Sequence, residues 1–159
     1  MLEKEFGTQV DLGRVIKGWN SKEDKWSPAA SAIESRAREA RIFLHELARE
    51  YAVSHPGEDV HIAVVTHGGF LHYFTEDWNE HEKFEGTGWA NTEVRSYAFV
   101  DEKRDALVEL DSSRDGRGVR PLSESEQRNL KESAEKEWEE SGYTTPREME
   151  VERQEISVS

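Results

Sequence analysis

The stretch from His61 to Trp78, HIAVVTHGGFLHYFTEDW, decides how this chain folds. Its first part, with Val60, is short, β-branched and almost wholly apolar. That is the pattern of an interior parallel strand covered on both faces. Gly68-Gly69 then makes a turn, and Phe70 to about Asp77 reads as a short helix. A histidine, His67, stands at the junction between a threonine and two glycines, and a second, His72, follows five residues later. The junction reads either as the rim of an active site or as a strand turning into a helix.

Outward from this point the grammar continues. Upstream, apolar residues at Ile33, Ala37, Ala40, Leu44, Leu47 and Tyr51 recur at spacings of 4, 3, 4, 3 and 4, one face of a helix. Ser27 and Pro28 suit its start, and His55-Pro56-Gly57 stops it. Residues 1–27 show no periodicity and read as a loop pinned by Trp19 and Trp26. Downstream, Glu93–Val100 reads as a strand that pairs with Ala106–Leu110 across the charged turn DEKRD. The expected fold is therefore α/β: a partial three-layer sandwich with a mostly parallel sheet and flanking helices, occupying residues 1–120. DSSRDGRGVRP reads as a linker. Ser123 with Glu126 makes a capping box for a polar helix within residues 121–142, closed by Gly142. With apolar positions only at Leu130, Ala134 and Trp138, this helix is expected to be solvated or to dock weakly. Residues 143–159 read as an acidic, disordered tail.

The 159 residues suit one domain, and the net charge is −13. From Pro121 onward there are eleven acids and five bases, so the C-terminal part carries about half of that charge. An acidic chain repels nucleic-acid phosphates and anionic lipid, so neither nucleic acid nor a membrane is an expected partner. A small anion in a locally positive pocket remains compatible. Without cysteine there is no disulfide, thiolate metal site or cysteine nucleophile. No apolar run reaches membrane-spanning length and MLEKEFGTQV is not a signal peptide, so a soluble cytoplasmic protein is expected.

His67 carries the chemistry. In an open α/β sheet, ligands sit beyond the carboxyl ends of the strands. Gly68 and Gly69 let the backbone approach a ligand, and the helix that follows offers free N–H groups and the positive end of its dipole. A histidine there can hydrogen-bond a phosphate oxygen or act as general acid or base, with Glu76 or Asp77 as a carboxylate partner. The same turn also occurs as plain structure, its histidine merely hydrogen-bonded. His72, Glu76 and His81 can be drawn as a metal set, but His/Glu pairs four apart are frequent on solvated helices and spacing fixes no third ligand. No metal and no cofactor is expected. His45, His55 and His61 read as structural or exposed.

VVTHGGFLHYFTEDW, preceded by GWNSKEDKWSP and AIESRAREARIFL and followed by WANTEVRSYAFV, resembles the histidine phosphatase superfamily, in particular its fungal phosphoglycerate-mutase-like branch. The resemblance covers roughly residues 1–140. It implies an α/β fold and phosphoester hydrolysis or transfer through a phosphohistidine. His67 matches the second histidine of the family's phosphate pocket, Gly68 its close-approach position, and Asn91 a loop returning to that pocket. The family's Arg-His-Gly motif, which carries the nucleophile, does not occur in this sequence. Met1 falls within what resembles the family's middle section, so the N-terminal strand and first phosphate arginine are expected to be absent. Positioned cations and an in-line nucleophile supply most of the rate of phosphoryl transfer. A protein weak or inactive as a phosphatase is thus expected, with a small phosphorylated or anionic molecule as ligand. Two alternatives stand beside it: an enzyme with rewired acid–base chemistry on His67, or a non-enzymatic interaction module. An unpaired strand edge is sticky, so a homodimer or a partner chain completing the sheet is also expected.

Overall fold

A computed structural model describes residues 2–83, 87–100 and 105–144 of the chain. In order these form α1 (Leu2–Phe6), two 3₁₀ turns (Gly7–Gln9 and Asp24–Trp26), α2 (Ala30–Ser54), α3 (Gly68–Thr75), β1 (Tyr97–Phe99), β2 (Leu107–Glu109), α4 (Asp111–Arg117) and α5 (Glu124–Glu140).

The expected sandwich with a mostly parallel sheet is not what forms. Among the described residues the sheet is one antiparallel pair, β1 with β2, in the register Tyr97↔Glu109, Ala98↔Val108 and Phe99↔Leu107. The segment expected to be the interior strand, Val60–Thr66, runs without helix, turn, bend or ladder, and His61 to His67 are all exposed. Val65 is 97% exposed. The cause is a shortage of partners. β-branched residues favour a pleated surface, but a strand also needs neighbours to take its N–H and C=O groups. β1 and β2 are close in sequence and satisfy each other.

What holds the described residues together is helical packing. Ala30, Ala37, Tyr73, Phe74, Trp78, Ala134 and Trp138 form the core, with Ile33, Ala40, Leu44, Phe70, Leu71, Leu107 and Leu130 against it. The predicted stripe of α2 thus faces inward from Ile33 to Leu44, while Tyr51 at its end is exposed; the helix ends at Ser54, before His55-Pro56-Gly57. It starts at Ala30 with Ala29 as N-cap, so Ser27 and Pro28 lie just outside. α5 differs more from expectation. Its capping box forms as read, with Ser123 Oγ accepting from the Glu126 N–H and the Glu126 carboxylate accepting from the Ser123 N–H. The helix is not solvated, however: Ala134 and Trp138 are buried in the core. Polar bonds fix its docking. Gln127 accepts from the Trp78 N–H (2.7 Å) and donates to Asp77 (3.0 Å), and the Tyr73 hydroxyl donates to Glu135 (3.2 Å).

Arg41, on α2, is 3% exposed. Its guanidinium donates to the carbonyls of Tyr73 (2.7 Å), Phe74 (3.1 Å) and Asp105, and to Glu76 Oε1 (2.9 Å). The last carbonyls of α3 have no intrahelical donors, so a buried cation there satisfies them and faces the negative end of the helix dipole.

The expected linker after Leu110 is also ordered, as α4. Arg117 grips Glu109 with two bonds (2.8 and 2.7 Å) and reaches Glu80 (3.2 Å), while Arg114 pairs with Asp111 (3.2 Å). Ion pairs rather than apolar contacts hold this helix. Trp19 does not pin the N-terminal segment: it is 58% exposed, and only Trp26 is partly covered. The tail expected to be disordered lies outside the described residues beyond Thr144.

Candidate functional site

α3 owes its position to two local features. Arg41 holds its C-terminal end, and Gly68 sets its start. A Cβ at Gly68 would sit 2.7 Å from Thr87 Cβ, a distance real Cβ atoms do not show. This close approach serves packing: it brings the 87–91 loop against the first turn of α3. At Gly69 a Cβ would meet nothing. The Thr87 hydroxyl donates to the Trp89 carbonyl (3.2 Å) and the Ala90 N–H donates to Glu93 (2.8 Å), which shapes the loop. Sequence reading placed Asn91 on a loop returning to the site. Thr87 is the residue that makes the return, and Asn91 itself is exposed.

His67 is the N-cap of α3, in extended backbone (φ −99°, ψ 146°), with its ring in solvent and making no capping bond. Its carbonyl accepts the first helical bond, from the Leu71 N–H (3.1 Å). The N–H groups of Gly68, Gly69 and Phe70 therefore precede the ladder and have no intrahelical partner. No acidic side chain stands in this first turn. Among the described residues, then, an exposed imidazole stands at the N-cap of a helix whose first three N–H groups take no intrahelical partner, and such a positive dipole end favours an anion.

The carboxylate predicted to work with His67 is elsewhere. Glu76 is the C-cap of the same helix, in the left-handed region (φ 56°) and bonded to Arg41. Nine residues at about 1.5 Å each put the two roughly 13 Å apart. Asp77 is no closer to His67 along the chain and is occupied by the Asn79 N–H (3.0 Å) and Gln127 (3.0 Å).

His72, read as a solvated helix residue, is wholly buried. Its ring stacks on Trp78 (centroids 5.1 Å apart) and lies against Trp138 (6.0 Å). Nδ1 donates to the Asp77 carbonyl (2.6 Å), so the neutral ring carries its proton there. Burial pushes its pKa below the ordinary value, opposed by the backbone of Asp77 and Thr87 and by the Asp77 charge. His81 is buried too, while Glu76 turns outward to Arg41. The three do not meet, and among the described residues no three His, Cys, Asp or Glu side chains gather as a metal site.

Two features were not legible beforehand. Arg95 is buried, stacked 3.6 Å over the Trp89 ring, paired with Glu93 (2.7 Å) and donating to the Gly88 carbonyl (2.6 Å). Tyr97 is pushed up to about 12 by burial and by the charges of Glu109 and Asp77. Tyr97 opens β1 and Arg95 lies two residues before it; the only signal in the sequence was their alternation in EVRSYAFV. A cleft of about 410 Å³ lies elsewhere, lined by Asp111, Arg114, Asp115, Gly118, Val119, Arg120 and Pro121. Its cations are already committed, Arg114 to Asp111 and Arg120 to Glu126.

Compared with protein-family models, curated proteins and solved structures, the chain has no match. Among the described residues, no helix is long and apolar enough to cross a membrane.

Proposed function

We propose that this is a phosphoglycerate-mutase-like protein of histidine phosphatase lineage whose working feature is a phosphate-anion half-site at His67. The observation that carries the reading is the placement of His67: the N-cap residue of α3, with an exposed ring that makes no capping bond, ahead of three N–H groups that have no intrahelical partner among the described residues. A phosphate or phosphomonoester dianion would take hydrogen bonds from the Gly69 and Phe70 N–H groups and from the His67 ring. Gly69 leaves the approach open, and Gly68 with Thr87 holds the turn rigid. Asn91 belongs to the loop that Thr87 ties to this turn.

By itself the half-site binds and orients but does not turn over. Phosphoryl transfer needs an in-line nucleophile and cations around the transferring group. The sequence has no Arg-His-Gly. Arg41, Arg95, Arg114 and Arg117 already hold carboxylates or carbonyls. The rewired acid–base alternative loses its support, because Glu76 is at the far end of α3.

Phosphate titration followed by imidazole NMR tests the reading. The His67 ring signals should move at millimolar phosphate, while those of buried His72 and His81 stay still and serve as internal references. His67→Ala should abolish binding with the fold intact. A His67 signal unmoved by phosphate would end the proposal.

A further inference from the structure

We propose that Val60–Thr66 is a pairing strand, and that its occupant is the same segment of a second copy of this chain, running antiparallel. This goes beyond the anion site and rests on different observations. The segment has no turn or bend and is exposed from His61 to Thr66, and among the described residues no backbone group from Asp59 to Thr66 has a backbone partner. Ile62, Val64 and Val65 leave substantial apolar surface in water. A row of unpaired N–H and C=O groups flanked by β-branched side chains is a template for another strand.

The segment is complementary to itself. It is bounded by Pro56-Gly57 at one end and by the Gly68 turn at the other, so two copies match in length. Antiparallel pairing about Ala63 sets Val60 against Thr66 and Ile62 against Val64, gathering the β-branched residues on one face. On the other face Ala63, the smallest side chain, meets its own copy on the axis, and His61 faces Val65. At the ends Asp59 lies opposite His67, whose ring nitrogen can donate to the carboxylate, and Glu58 lies opposite Gly68, at the positive end of α3 in the second copy. Cross-strand pairs of these kinds are the stabilising units of a sheet. The middle of the strand carries no acid or lysine or arginine to be buried. A foreign strand would have to place a carboxylate opposite His67 and another at the positive end of α3, which a second copy supplies by symmetry. A two-stranded contact is small, so association should be weak and reversible.

Sedimentation across a range of concentrations tests it. The mass should rise from 18.3 kDa toward twice that value as concentration increases, and the amides of Val60–Thr66 should gain hydrogen-exchange protection in step. Ala63→Pro removes the N–H at the axis and should hold the chain monomeric; circular dichroism checks that α2, α3 and α5 persist, as expected for a change at an exposed residue outside all three. Asp59→Lys should weaken association about tenfold, and Asp59→Lys with His67→Asp should restore it by exchanging the charges. Phosphate and Asp59 of the second copy compete for one ring, so phosphate should favour the monomer. The Asp59→Lys monomer should still show the phosphate shift at His67, which separates failure of this proposal from failure of the anion reading. A chain monomeric at all concentrations, or an association that Ala63→Pro and Asp59→Lys leave unchanged, overturns the proposal. So does a monomer that takes up an unrelated strand peptide in place of its own copy.

Discussion

At His72 the fold holds an imidazole where a positive charge is disfavoured. Its pKa is lowered in the folded chain, while the unfolded chain titrates near 6.5. Between these two values the unfolded state binds more protons than the folded one. Stability is therefore insensitive to this group above about pH 6.5 and falls as the pH drops below it, by at most about 1.4 kcal/mol per unit. Urea midpoints measured from pH 7.5 to 5 should decline, and His72→Phe should flatten that decline. The glycines before it make opposite predictions. Gly68→Ala drives a Cβ into Thr87 and should cost about 1–3 kcal/mol, whereas Gly69→Ala meets nothing and should stabilise α3 by about 0.5–1 kcal/mol; thermal melts of the two variants check both signs. At this scale the sequence was legible where a residue's role follows from its neighbours in the chain. The short helix after His67 was legible, but it takes in Gly68 and Gly69, which read as a turn, and ends at Thr75, so that His67 itself is the N-cap. His72 looked solvated because its partners, Trp78 and Trp138, come from a later turn and from the other end of the chain.

Among the elements, those built on local pattern were read best: the stripe of α2 as far as Leu44, the pairing of β1 with β2, though over fewer residues than expected, and the capping box of α5. The failures were of partnership. Val60–Thr66 has every residue preference of a buried strand, yet preference does not supply a neighbour. α4 contains a glycine and no apolar stripe, so nothing in its own sequence points to Glu80 and Glu109 as its anchors. α5 carried a signal that was undervalued: Leu130, Ala134 and Trp138 at spacings of four make one narrow face. Arg41 stands on the inward face of α2, four residues after Ala37 and three before Leu44, where a charged side chain reads as an exception. It is the donor for two carbonyls of α3. Arg41→Met keeps most of the volume and strands those carbonyls, so it should cost about 3 kcal/mol. Ser123→Ala removes one capping bond and should cost about 1 kcal/mol. Chemical denaturation of both variants orders them: the Arg41 variant should be much the weaker.

For the molecule as a whole, stability is unevenly distributed. The core joins α2, α3 and α5, while Val60–Thr66 contributes no backbone bonds among the described residues. Hydrogen exchange at low concentration should show slow amides in α2 and α3 and nearly unprotected ones across Val60–Thr66. Trp138→Ala should cost about 3–5 kcal/mol and speed exchange in α3 rather than in the hairpin, because its ring lies against His72, Tyr73 and Trp78. That packing also sets an order of events during synthesis. Tyr73 and Trp78 leave the ribosome about sixty residues before the tryptophan that covers them. Until α5 emerges, the aromatic face of α3 has no lid, and neighbouring nascent chains carry the same open face. In that interval the exposed rings are open to contact between chains, so a chain released before α5 is made should aggregate where one that includes α5 does not.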